Sequence, residues 1–281
     1  MNNRPNILII SIDSLRYDYC NFTNVNSNTP ELAKISDKSA VYHNTISPST
    51  WTLPVHSSIF TGLYPKEHQI LDSEIEIGDH PTLGELLTEI GYSNYSFGRN
   101  AWLEQGGMLR GFNHETSPRP MEKHSGLIGR TRLYRRWIRR LLFNHQWIDE
   151  ITIGNYKDNL KTAKEPHSSF IHLNGVHYIY NPPTPFHKMY TDQKFPILLY
   201  NLYKQKKLFI DYGGILPNRK DPEKSFIQIM KGLYRGCVRY ADKMVGDIIR
   251  LQRKYSDRDS IIVIFGDHGD NFGNDGLFGH Q

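Results

Sequence analysis

The sequence predicts an α/β fold with a largely parallel central sheet, and three observations carry that prediction. Two apolar runs lie at opposite ends of the chain, Ile7-Leu8-Ile9-Ile10-Ser11-Ile12 and Ile261-Ile262-Val263-Ile264-Phe265-Gly266. Runs of this kind suit strands buried on both faces, as in a parallel sheet covered by helices. Each run ends on a carboxylate, Asp13 or Asp267, and ligand sites in such sheets lie just past the carboxyl ends of the strands. Between them, strand-like runs alternate with helical stretches.

The elements follow in order. Asn6 to Ile12 is the first strand. A polar loop leads to Pro30-Glu31-Leu32-Ala33-Lys34-Ile35, which begins a short helix, and Ala40-Val41-Tyr42-His43-Asn44 reads as a short strand. In the stretch from Ser47 to Gly62, Thr52 suits an N-cap, Pro54 the first turn and Gly62 the C-cap. Pro81 to Ile90 is a helix ending at Gly91, and Tyr92 to Phe97 a strand.

Residues 120–145 read as a basic insertion in the domain. Its centre is an amphipathic helix over 130–142, with arginines 130, 132, 135, 136, 139 and 140 set among Leu133, Tyr134, Trp137, Ile138, Leu141 and Leu142. Its basic face is either solvated or a docking surface for an anionic membrane or acidic glycan. Ser169 to Leu173 is another buried strand, broken after by Pro182-Pro183-Thr184-Pro185, and a polar excursion runs to about Pro222. Phe226 to Lys254 is the longest helical pattern, with Tyr234, Val238, Ala241, Val245, Ile248 and Leu251 on one side.

The 281 residues suffice for one large domain, 1–281, and 38% hydrophobic with 22% charged residues fits a soluble globular protein. The formal charge of +5 favours anionic partners. Nucleic acid is not expected, since no reading module is present. Cys20 and Cys237 fit neither a metal-ligand spacing nor a disulfide framework. No leader or membrane span is visible in the sequence, so the expected compartment is cytoplasmic.

Asp13, Asp267 and His268 converge if both strands end at one sheet edge, and two carboxylates with an imidazole suit a metal ion. Thr52, at a helix start, places its hydroxyl where backbone N–H groups favour a sulfate or phosphate. A threonine hydroxyl is a poor nucleophile at neutral pH, and metal coordination would activate it.

The blocks Asn6-Ile7-Leu8-Ile9-Ile10-Ser11-Ile12-Asp13-Ser14-Leu15-Arg16, Thr52 through Pro65 and Gly266-Asp267-His268-Gly269-Asp270 through His280 carry a resemblance. Gly111-Phe112, His177 through Pro183 and Tyr240-Ala241-Asp242 support it. The chain resembles the sulfatase family of the alkaline phosphatase superfamily, over nearly its whole length. The resemblance implies a three-layer sandwich whose usual C-terminal subdomain is missing or reduced, as in a fragment, a truncated product or an unusually short relative. It implies Asp13, Thr52, Asp267 and His268 as metal ligands, Thr52 as nucleophile, and His177 and His280 as substrate-contacting or leaving-group-protonating residues. The implied activity is hydrolysis of a sulfate or phosphate ester through a covalent intermediate on Thr52. Transfer of a phospho-substituent to a glycan or lipid acceptor, or a degenerate non-catalytic binding protein, are the alternatives.

The departures matter too. Sulfatases carry Cys or Ser in Cys/Ser-x-Pro-x-Arg and convert it to formylglycine, whereas Thr52 cannot form that aldehyde and His56 replaces the arginine. Ser14 replaces the second of two adjacent aspartates, and Asp267-His268 the usual Asp-Asn. Losing a carboxylate and gaining an imidazole favours manganese or zinc over calcium. Arg99-Asn100-Ala101-Trp102 replaces a lysine-and-histidine motif, so His56, Arg99 and Asn100 are expected to contact the substrate anion. His172, inside an apolar strand, reads as a core residue. His43, His68, His114 and His187 read as structural or surface residues.

Overall fold

The near-unbroken apolar run Asn6–Ile12 forms β1, the inner strand on which the rest is assembled. The computed structural model describes residues 4–24, 27–72, 75–114, 148–191, 198, 200–205, 222–273 and 278–280. After β1 come α1 (Pro30–Ser36), α2 (Thr52–Thr61), α3 (Pro65–His68), α4 (Leu83–Glu89), β2 (Ser93–Phe97), α5 (Ala101–Gln105) and β3 (Asn113–His114). Then follow α6 (Ile148–Leu160), β4 (His167–Leu173), α7 (Lys224–Tyr255), β5 (Ser260–Gly266) and a small antiparallel pair, β6 (Asn271–Phe272) and β7 (Phe278–Gly279). The main sheet has the order β3-β2-β4-β1-β5 and is parallel throughout. Parallel neighbours need a crossover on a face of the sheet, which is what the intervening helices supply.

Side-chain alternation along β1 divides the core. Leu8, Ile10 and Ile12 face a layer that includes Leu32 of α1, Tyr156 and Leu160 of α6, and Leu233, Val245 and Ile248 of α7. Ile9 faces the other way, with Phe170 of β4, onto Leu53 and Phe60 of α2 and Leu103 of α5. This is a three-layer α/β sandwich. Each large apolar side chain taken fully from water contributes roughly 1.5–3 kcal/mol. The long α7 carries the largest share of its layer, with Arg253 and Lys254 in its last turn, where they complement the helix dipole.

Three expectations are corrected. Residues 40–44 form no strand: they lie in an exposed loop, with Tyr42 80% exposed, and no sheet edge reaches them. Thr52 is not the N-cap of α2 but its first helical residue, Trp51 taking the extended cap position. The last strand, β5, is not buried on both faces. It is the sheet's edge strand among the described residues, and Ile261 and Val263 on one of its faces are 53% and 44% exposed. Within the polar excursion, residues 186–188 form a 3-10 turn and residues 200–205 are helical. The basic insertion over 120–145, with its helix at 130–142, lies outside the described residues. No helix among the described residues is long and apolar enough to cross a membrane.

Candidate active site

Strand register builds the site. Ile12 of β1 pairs with Gly266 of β5, so the next residues, Asp13 and Asp267, leave adjacent strand ends side by side. Gly266 is required there, because a Cβ would stand 2.6 Å from the Leu15 carbonyl oxygen. The chain after Asp13 turns sharply through Ser14, at φ 60°. That turn lets the Ser14 N–H donate to Asp267 Oδ1 at 2.9 Å and its hydroxyl to Asp13 Oδ1 at 2.9 Å. The His268 N–H also donates to Asp267 Oδ1, at 2.8 Å.

Asp13, Asp267 and His268 are all buried, and each offers a ligand atom within 4.8 Å of the others. His268 Nε2 lies 3.6 Å from Asp13 Oδ1 and 3.5 Å from Asp267 Oδ2. Asp267 Oδ2 is buried with no hydrogen-bond partner among the described residues. Two buried carboxylates this close cannot both hold full charge without a cation. Burial, then the charge of Asp13, pushes the Asp267 carboxyl well above its ordinary range. Burial also works to raise Asp13, but the His172 hydrogen bond and the charges of His177, His172 and His268 outweigh it and hold Asp13 well below. Burial lowers His268, leaving a neutral imidazole suited to metal ligation. The orphaned oxygen and this donor set fit a divalent ion.

Thr52 is 4% exposed, and its Oγ1 lies 3.3 Å from His268 Nε2. The hydroxyl of the first α2 residue therefore faces the cluster. His56, one turn on, lies beneath it, fully buried. Its Nδ1 contacts the Thr52 carbonyl oxygen at 2.9 Å and its Nε2 the Ser11 hydroxyl at 2.9 Å. Burial pushes its pKa down to about 3. With both ring nitrogens engaged below the site, His56 supports the first turn of α2 and does not reach outward as the expected anion contact.

The rim carries two more histidines. His280 Nδ1 meets Asp270 Oδ1 at 2.6 Å, and the Tyr180 hydroxyl donates to Asp270 Oδ2 at 2.7 Å. Burial opposes charge on His280, but this bond and the Asp270 charge raise it above its ordinary value. Its ring packs 4.5 Å from that of His268 and 5.2 Å from that of His177. His177 Nδ1 contacts the Tyr178 carbonyl at 2.6 Å. The expected residues Asp13, Thr52, His177, Asp267, His268 and His280 thus meet at one sheet edge.

Arg99 and Asn100 follow β2. Asn100 Oδ1 accepts the Trp102 N–H at 3.0 Å, capping α5, and its Nδ2 lies 3.2 Å from His172 Nε2. Its oxygen is thereby taken up by α5, and its nitrogen faces the His172 ring. Arg99 Nε is buried without a hydrogen-bond partner among the described residues. Sequence reasoning missed Ser14, Asp270 and His172. Asp270 stood within the quoted Gly-Asp-His-Gly-Asp block and was a findable signal, whereas His172 is brought to Asp13 only by the pairing of β4 with β1.

A family model described as Sulfatase matches residues 5–281. The phosphonate monoester hydrolase of Agrobacterium radiobacter is similar in structure, at a TM-score of 0.74 and 17% identity, over 98% of this chain and 65% of that one. The 2-O GAG sulfatase BT1596 gives 0.63 at 15% identity, over 99% and 60%. The C-terminal periplasmic domain of phosphoethanolamine transferase EptC from Campylobacter jejuni gives 0.57 at 16%, over 98% and 73%. The chain therefore spans less than two thirds of the hydrolase and sulfatase chains it matches. No curated protein matches it significantly.

Proposed function

The chain belongs to the sulfatase family, and from that premise we propose that it is a metal-dependent hydrolase of sulfate or phosphate esters, with Thr52 as nucleophile. One observation carries this reading: Thr52 Oγ1 lies 3.3 Å from His268 Nε2, at the edge of the buried Asp13–Asp267–His268 cluster. Those three residues, with Thr52, would hold one divalent ion, manganese or zinc in preference to calcium given the imidazole ligand. When bound, the ion supplies Lewis acidity to the ester oxygens and lowers the pKa of the Thr52 hydroxyl.

The remaining steps belong to this chain's side chains. Thr52, its hydroxyl proton lost to solvent, attacks sulfur or phosphorus and becomes esterified as the bond to the leaving oxygen breaks. His280, whose protonated form Asp270 favours, donates a proton to the leaving oxygen. His177, across from His280, contacts the departing group. Water then releases the product from Thr52. An acceptor alcohol on a glycan or lipid would make the same intermediate a transfer reaction; the structurally similar EptC is a phosphoethanolamine transferase.

The test is a panel of aryl sulfate, phosphate diester and phosphonate ester substrates with manganese, zinc and calcium. Turnover is expected with manganese or zinc, and Thr52→Ala should lower it by about 10³-fold or more with unchanged circular dichroism. Unchanged turnover in that variant would remove Thr52 as nucleophile. Turnover that rises with an added acceptor alcohol would mark a transferase.

A further inference from the structure

His172 has no role in the reaction as described above, yet it touches the metal cluster. It pairs with Ser11 in the β4–β1 register, which sets it beside the chain as it reaches Asp13. The residue is fully buried. Its Nε2 lies 3.3 Å from Asp13 Oδ2 and 3.2 Å from Asn100 Nδ2. The amide of Asn100 is oriented by the Trp102 N–H on its oxygen, so it presents hydrogens to the ring. An ionised Asp13 can only accept and Asn100 Nδ2 can only donate, so Nε2 cannot satisfy both. A hydrogen bond to a charged group is about twice as strong as one between neutral groups, so Nε2 keeps the ring proton and its N–H donates to Asp13 Oδ2.

The ring has little room to turn away. A Cβ on Gly98 would stand 3.0 Å from His172 Cβ, which shows how closely the chain after β2 approaches. On another side the His56 ring packs edge-on, 5.2 Å between centroids. Asp13 is therefore gripped from two sides. Oδ2 meets His172, while Oδ1 takes the Ser14 hydroxyl at 2.9 Å and faces His268 Nε2 at 3.6 Å.

We propose that His172 is a positioning residue of the metal centre: it holds Asp13 Oδ2 from behind and presents Oδ1 towards Asp267 and His268. It is not itself a ligand. The inference rests on the reading of Asp13, Asp267 and His268 as the ligand set. Outer partners that orient a metal ligand typically account for 10- to 100-fold in metal affinity.

The test is calorimetric titration of the metal-free full chain with Mn²⁺, together with its melting temperature before metal is added. His172→Leu fills the space but cannot donate, and it should weaken Mn²⁺ binding by about 10- to 100-fold, with the metal-free chain still folded at a melting temperature lowered by loss of the Asp13 hydrogen bond. His172→Gln can still donate from its amide and should stay within about threefold of the parent. His172→Phe repeats the Leu arm with a ring of similar shape, should Leu fail to fold. Wild-type affinity in both apolar variants overturns the proposal, as does an equal loss in the Gln variant. If the parent chain itself binds neither Mn²⁺ nor Zn²⁺, the ligand set falls instead, and this inference with it.

Discussion

His56 shows how much one substitution within a motif changes. Where the family motif carries an arginine, this chain places an imidazole that is fully buried and bonded to the Thr52 carbonyl and the Ser11 hydroxyl. A carbonyl can only accept, so Nδ1 holds the ring proton and Nε2 accepts from Ser11. The first turn of α2 is thereby fastened to β1, two residues before Asp13, by a neutral group. Because burial lowers the folded pKa to about 3, below the unfolded value near 6.5, the associated stability is complete above about pH 6.5. It is lost as pH falls towards 3. By pH 5 the loss should reach about 2 kcal/mol. Urea midpoints between pH 7.5 and 5 should fall more steeply for the parent than for His56→Gln, and parallel curves would count against it. At this scale the candidate ligands and nucleophile were legible, because each stands in a short motif at an element's end. Ser14 and His172 were not, since their roles depend on a left-handed turn and on strand pairing that no local pattern encodes.

Between elements, α1 depends on a side chain from elsewhere. Its cap residue Thr29 makes no side-chain capping bond. Instead Asp242 of α7 accepts the N–H groups of Glu31 and Leu32, at 3.0 and 2.8 Å. A buried carboxylate on the first turn both satisfies orphan donors and complements the helix dipole. Asp242→Ala should therefore destabilise the fold by about 1–2 kcal/mol, as loss of a cap does, and Asp242→Asn by less. Chemical denaturation of both variants measures it, and equal effects would show that carboxylate geometry is unimportant. Sequence patterns placed β1, β2, β4, α1 and α7 well, because apolar runs and the 3.6-residue period are local signals. They misjudged β5, whose run of Ile and Val is the same whether one face or both are covered. They also misjudged residues 40–44, where strand-forming residues meet no partner edge. Both errors concern neighbours, which single-chain periodicity does not report.

For the molecule as a whole, the candidate metal would join segments far apart in the sequence. Ser14 and Asp267, already hydrogen-bonded, are 253 positions apart, and β1 and β5 are adjacent only through their register. An ion held by Asp13 on one side and Asp267 and His268 on the other would tie the edge strand β5 to the sheet centre. Binding to the folded form alone stabilises it by about 2.7 kcal/mol at a free metal concentration of 100 Kd. Manganese should accordingly raise the melting temperature, chelator should reverse the shift, and Asp267→Asn should abolish most of it. The shift should also depend on pH in a defined direction. In the metal-free protein Asp267 titrates well above its ordinary value, so its contribution to stability is present at low pH and is lost as pH rises through that titration. Metal binds the ionised carboxylate, so the stabilisation it adds must grow over the same rise. Melting temperatures across the whole pH range in which the chain stays folded, with and without Mn²⁺, give the difference directly. A metal-induced shift that is flat or falls with pH would mean that Asp267 does not surrender its proton to the ion.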